Sequence, residues 1–182
     1  MTRHFATAVA ALALLGATTP VQGAWVTGPA LPTARSEVAV AALGQQIYVI
    51  GGYANGNVDQ SLVQVFDVEA NAWRDAAPLP RGLNHVGAVG FRGRIYTFGG
   101  FAAQNNAAVS DASVYDPTAN RWSPIAPMPR PLGSVSVAVL DGEIHLVGGR
   151  DTHSVTTHYI YDPVTDRYSA RAALSIGRDH MV

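Results

Sequence analysis

Ile47-Tyr48-Val49-Ile50-Gly51-Gly52 is an apolar run closed by two glycines, and it decides the fold because it returns twice. Ile95-Tyr96-Thr97-Phe98-Gly99-Gly100 and Ile144-His145-Leu146-Val147-Gly148-Gly149 follow at steps of 48 and 49 residues. A short apolar run bounded by glycine reads as a strand, and a fixed period of this size marks a repeat architecture.

Working outward, the landmarks keep their order in every unit. Downstream of the glycines stand Phe66-Asp67-Val68, Tyr115-Asp116-Pro117 and Tyr161-Asp162-Pro163, then an aromatic at Trp73, Trp122 and Tyr168. Leu79-Pro80, Met128-Pro129 and Leu174-Ser175 close the units, and Leu31-Pro32 is the same turn one step earlier. Alternation and turn signals divide the first unit into four strands, Glu37 to Leu43, Gln46 to Ile50, Leu62 to Asp67 and Trp73 to Asp75. The first strand is rich in small residues in all three units, which suits a position where strands converge. Gly44-Gln45, Arg92-Gly93 and Asp141-Gly142 supply the tight turns after it.

The apolar run with its glycine pair, the Tyr-Asp-Pro turn, the spaced aromatic and the Leu/Met-Pro turn together resemble kelch-repeat β-propellers, of the exported, bacterial type. The resemblance spans Trp25 to Val182 and implies an all-β fold of four-stranded antiparallel blades around a channel. Residues 32–79, 80–128 and 129–174 are complete repeats, residues 25–31 read as the outer strand of an incomplete blade, and residues 175–182 as the start of a further repeat. Three blades do not close a ring of four to eight. A longer native chain, closure of one propeller by a homodimer, and an open array are the alternatives.

Composition narrows the function. The 182 residues carry a formal net charge of −1 and no Lys/Arg run, so nothing gathers phosphates and nucleic acid is excluded. With no cysteine there is neither a disulfide nor a thiolate ligand. Residues 1–23 read as a signal peptide: Arg3, an uncharged stretch from Phe5 to Ala17, then Val21 and Gly23 before the cut. That stretch is too short to span a bilayer, so no membrane insertion is expected after cleavage, and the expected address is periplasmic or extracellular.

The segment leading into each first strand and the loop between second and third strands share one face of the disc. The former carry Arg35, Arg81, Arg130 and Arg178, followed at a shared position by Glu37, His85, Ser134 and His180. The arginines suit a carboxylate-bearing ligand, or they brace neighbouring blades as part of the repeat. The expected function is a non-catalytic protein- or glycan-binding scaffold module. Gly51, Gly52, Gly99, Gly100, Gly148, Gly149, Asp67, Asp116, Asp162, Trp73, Trp122 and Tyr168 are expected to be structural.

The resemblance also covers two enzyme types. Copper radical oxidases use a cysteine-linked tyrosine, which this cysteine-free sequence does not offer. Sialic-acid mutarotases need acid/base groups near the channel mouth, for which Glu37, His85 and His180 are the candidates, though they match no motif of that family. Asp151, His153 and His158 have a weak metal-like spacing in a polar loop, so no metal, cofactor or catalytic residue is assigned.

Overall fold

The computed structural model describes residues 25–181, all strand, turn and irregular segment; the expected signal peptide, residues 1–23, lies outside them. The first blade comprises β1 (Ala39–Leu43), β2 (Gln46–Ile50), a small hairpin of β3 (Tyr53–Ala54) and β4 (Val58–Asp59), then β5 (Val63–Asp67) and β6 (Ala72–Ala76). The second comprises β7 (Gly87–Phe91), β8 (Arg94–Phe98), a hairpin of β9 (Phe101–Ala102) and β10 (Ala107–Ala108), β11 (Ala112–Asp116) and β12 (Arg121–Pro124). The third is β13 (Ser136–Leu140), β14 (Glu143–Val147), β15 (His158–Asp162) and β16 (Arg167–Ala170). Each blade is a four-stranded antiparallel sheet with its strands in chain order.

Turn chemistry fixes the registers. Leu43 pairs with Gln46 across Gly44, whose φ of 59° meets the demand of a two-residue hairpin turn. The aspartates at the ends of β5, β11 and β15 close the next turn by accepting backbone N–H bonds from Ala70, Thr118 and Val164 at 2.8–2.9 Å.

Three contacts join blade to blade, and each repeats. The amide of the second glycine donates to a carbonyl of the next blade's lead-in segment, Gly52 to Leu83, Gly100 to Leu132 and Gly149 to Arg178, all at 2.9 Å. That approach needs the first glycine: a Cβ on Gly99 would stand 2.0 Å from the Leu132 oxygen, at a φ of 61°. Second, the outer-strand aromatic donates backwards, Trp73 Nε1 to the Pro29 oxygen, Trp122 Nε1 to Ala77 and the Tyr168 hydroxyl to Ala126, at 2.8–3.0 Å. Third, Asn120 and Asp166 accept from the amides of Ala77 and Ala126 in the preceding blade and from the Tyr115 and Tyr161 hydroxyls of their own.

Apolar packing supplies most of the energy of these joints. One cluster lies between blades one and two, around Tyr48, Ile50, Val63, Val65, Ile95 and Tyr115; the other lies between blades two and three, around Phe98, Leu132, Ile144, Leu146 and Tyr161. Fully burying one such side chain is worth about 1.5–3 kcal/mol, against about 1 kcal/mol net for a hydrogen bond. The clusters therefore hold the blades together, while the hydrogen bonds fix their spacing. The small residues of the inner strands have the expected reason: a Cβ on Gly90 would meet the Ala42 oxygen at 2.0 Å, one on Gly87 the Val137 side chain at 2.6 Å.

Two expectations need correction. Residues 25–31 form no strand: Trp25 is fully exposed, and Pro29 serves only as acceptor for Trp73, because no described strand offers this segment a partner. The first strand begins at Ala39 rather than Glu37, since Glu37 sits at a φ of 51°, incompatible with extended pairing. The polar loops after Gly52 and Gly100 each hold a small hairpin of two-residue strands. Residues 175–181 form no strand either, yet Arg178 and His180 bond the third blade as the other lead-in segments bond theirs.

Gly99→Ala should cost at least about 3 kcal/mol in urea unfolding, combining a left-handed alanine with an inter-blade clash, whereas Gly93→Ala, at a φ of 76° with no atom within 4 Å, should cost only about 1 kcal/mol. Equal losses would contradict the role given to the glycine pair.

Candidate functional site

The four residues at the shared lead-in position are built alike. Glu37, His85, Ser134 and His180 have φ values of 51°, 52°, 54° and 50°, in the left-handed region that non-glycine residues seldom occupy. Their backbones form a chain across the blades, the His85 amide donating to Glu37 at 3.0 Å, Ser134 to His85 at 2.8 Å and His180 to Ser134 at 3.3 Å. This turns all four side chains towards the inner strands of the blades, the side that in a closed propeller is the mouth of the channel. There they line a cavity of about 540 Å³ whose wall is completed by the inner strands, from Val38 to Val40, Val86 to Ala88 and Val135 to Ala138. The backbone repeats and the side chains do not.

His85 lies at the centre. Its Nε2 stands 3.1 Å from Glu37 Oε2, its ring packs edge-on against His180 with centroids 4.9 Å apart, and Tyr53 and Phe101 stand edge-on to it. Its Nδ1 meets the oxygen of fully buried Asn84, whose Nδ2 donates to Asp59 Oδ1 at 2.7 Å and to the Phe101 carbonyl. Since the Asn84 nitrogen is spent as a donor, its oxygen accepts, and His85 carries its proton on Nδ1. Burial pushes the His85 pKa below the usual histidine value, with neighbouring His180 and Arg150 acting the same way against Glu37. That direction favours the neutral ring, whose Nε2 faces the Glu37 carboxylate.

His180 is arranged likewise. Its Nδ1 is bonded to Asp179 Oδ1, and its Nε2 lies 3.2 Å from the Ser134 hydroxyl. The Asp179 carboxyl is held below the usual carboxylate range, chiefly by the Ser154 hydroxyl bond and then by His180, so it accepts and His180 Nδ1 donates.

The four arginines do not form a ring. Arg35 and Arg178 occupy one repeat position, whose counterparts are Leu83 and Leu132, while Arg81 and Arg130 stand two residues earlier in theirs. Arg35 turns inward and donates to the carbonyls of Gly51 at 2.6 Å, Leu62 at 2.9 Å and Val49 at 3.3 Å, and to Gln64. Arg81 is paired with Asp111 at 2.8 Å and Arg130 with Asp151, whose carboxyl is lowered to about 2 by the amides of His153 and Thr152 and by Arg130. Arg178 is exposed, and its carbonyl serves the inter-blade joint. Asp151, His153 and His158 do not gather: His158 instead meets His145, Nδ1 of His145 lying 3.0 Å from its Nε2.

Several residues at the mouth carry no motif in the sequence. Tyr53, Phe101 and Arg150 each follow a glycine pair, and this offset is the signal that locates them. Arg150 lies over the Phe101 ring at 4.9 Å, and its Nε is buried without a hydrogen-bond partner. Asn84 and Asp179 each precede a ring histidine, and only the backbone shows that they orient it.

Fold and site together define a propeller-type repeat protein with a polar site beside its inner strands. Residues 17–175 match the KLHDC2/KLHL20/DRC7 Kelch-repeats domain, and the chain belongs to the kelch-repeat family. Human Kelch-like protein 34 is 35% identical over 88 residues, 48% of this chain and 14% of that protein. The Kelch-like protein terF of Aspergillus terreus is 34% identical over 98 residues, 47% of this chain and 20% of that protein. The solved structure of YjhT superposes with a TM-score of 0.71 at 16% identity, over 84% of this chain and 56% of that one, a likeness of fold. The chain thus matches a fifth or less of the length of these two curated relatives.

Arg35→Ala strips four acceptors of a half-buried guanidinium and should cost about 2–4 kcal/mol in chemical denaturation, while Arg81→Ala, removing an exposed pair, should stay within about 1 kcal/mol. A larger loss at Arg81 would contradict the assignment of Arg35 as the structural arginine.

Proposed function

We propose that the chain is a binding module whose channel mouth recognises a protein segment or a glycan, and that it acts in this way without catalysis. The kelch-repeat scaffold supports a protein-binding role. The observation that carries the site is the ring of four unlike side chains on one repeated, left-handed backbone: strain is retained at four positions while their chemistry is varied, as recognition requires. A carboxylate, two imidazoles and a hydroxyl offer mostly acceptors, and Arg150 adds donors, which suits a hydroxyl-rich glycan or the amides of a peptide loop. The export expected from residues 1–23 is part of the proposal, supported by Arg3, the apolar run and the small residues before the cut.

A second reading, sugar mutarotation, is favoured by the Glu37–His85 pair, a carboxylate and a neutral imidazole 3.1 Å apart and suited to moving a proton.

Ligands selected from a peptide display library and a glycan array against the chain should bind at least tenfold more weakly to Glu37→Gln and to Arg150→Ala and equally well to Arg121→Ala on the outer strand. Selected ligands that ignore the first two variants place recognition elsewhere. The same variants tested by NMR exchange on N-acetylneuraminic acid read the second reading, and anomer exchange no faster than in buffer removes it.

A further inference from the structure

We propose that Glu37, His85 and His180 form a divalent metal site of the zinc class at the channel mouth, with a coordination position open to the channel. The two imidazole nitrogens and a carboxylate oxygen lie within 4.8 Å of one another, on the first, second and fourth lead-in segments.

Three features of the geometry point to a cation. First, the outward atoms all bear lone pairs. His85 Nδ1 is spent on Asn84 and His180 Nδ1 on Asp179, so the Nε2 of His85 faces the Glu37 carboxylate and the Nε2 of His180 accepts from the Ser134 hydroxyl, a bond that a metal would replace. His85 Nε2 and Glu37 Oε2 stand 3.1 Å apart, a separation that a shared proton or a shared cation satisfies, and a cation draws on the lone pairs of both. Second, the outer partners match those of metal-binding histidines, which donate their remaining ring N–H to a carboxylate or carbonyl-type oxygen that fixes the ring. Asp179 does this for His180, and Asn84, itself held by Asp59, does it for His85. Third, the distances fit. Zinc bonds of about 2.0–2.2 Å in a tetrahedron set ligands about 3.3 Å apart, close to the 3.1 Å between His85 and Glu37. The remaining separations, at most 4.8 Å, close by rotation of Glu37 and His180, whose side chains are 44% and 46% exposed. Two histidines and a glutamate are a set that zinc accepts while keeping its fourth position free. The carboxylates of Glu37, Asp179 and Asp59 outnumber the nearby guanidinium of Arg150, leaving the mouth attractive to a cation.

This inference stands apart from the proposed function, since a metal can bind where no partner does and a partner where no metal does. The test is calorimetric titration of the tag-free chain with zinc chloride, together with the visible spectrum of the cobalt-loaded chain. One zinc per chain is expected, with a cobalt spectrum of low coordination number. Glu37→Gln and His180→Ala should each weaken zinc at least tenfold, and Asp179→Asn, which only positions His180, about tenfold with the cobalt bands retained. His158→Ala, at the separate His145–His158 pair, should change nothing. Circular dichroism on each variant confirms that it is folded. Absence of stoichiometric zinc binding overturns the proposal, as does binding that survives His180→Ala and disappears in His158→Ala.

Discussion

The structure depends on a backbone contact at which one blade meets the next: the amide of each second glycine donates to a lead-in carbonyl of the following blade, at 2.9 Å in all three instances. The carbonyl fits only because the neighbouring glycine has no Cβ and accepts a positive φ. Apolar clusters between the blades provide the larger share of the energy, but apolar contact is non-directional and tolerates sliding. The glycine joint does not. It fixes how far one lead-in segment lies from the next, and hence how the residues of the shared position line up.

That alignment makes the site. Once the lead-in segments are held at one spacing, the amides of His85, Ser134 and His180 reach the carbonyls of the equivalent residues one blade back, and four non-glycine residues settle near a φ of 50°. Such a conformation costs about 1–2 kcal/mol per residue, and it persists because bonds on both sides over-determine it. In exchange, a carboxylate, a hydroxyl and two imidazoles line one cavity from segments 46 to 49 residues apart in sequence. The repeat supplies the geometry, and the variation within it supplies the chemistry.

Much of the fold was legible in the sequence, because period and alternation are local. The three glycine pairs, the aspartates that close the turns and the outer aromatics all carry signals at fixed offsets, and the strand limits read from them differ from the observed ones by a residue or two. Residues 25–31 misled for the opposite reason: Trp25 keeps the repeat's aromatic, but a strand also needs a neighbour to pair with. The shared position of Glu37, His85, Ser134 and His180 was legible as a position. Its character was not, since no propensity in Glu37 or His85 announces a left-handed backbone. The arginines were misread as one set because four arginines near four turns look periodic; counting from Leu31, Leu79, Met128 and Leu174 separates them into two. Asn84 and Asp179 escaped notice because their work is to fix the tautomer of an adjacent ring, which shows only in hydrogen-bond partners.

The central claim is that His85 sits at the channel mouth as a neutral ring with its Nε2 lone pair directed into the shared space. Long-range proton–nitrogen NMR of the histidine rings at pH 7 tests it most directly. The account predicts the Nδ1–H tautomer for His85. An Nε2–H tautomer, or a fully protonated ring, would mean that Glu37 simply accepts a hydrogen bond from His85, and the mouth would be a closed polar pair rather than an open set of acceptors.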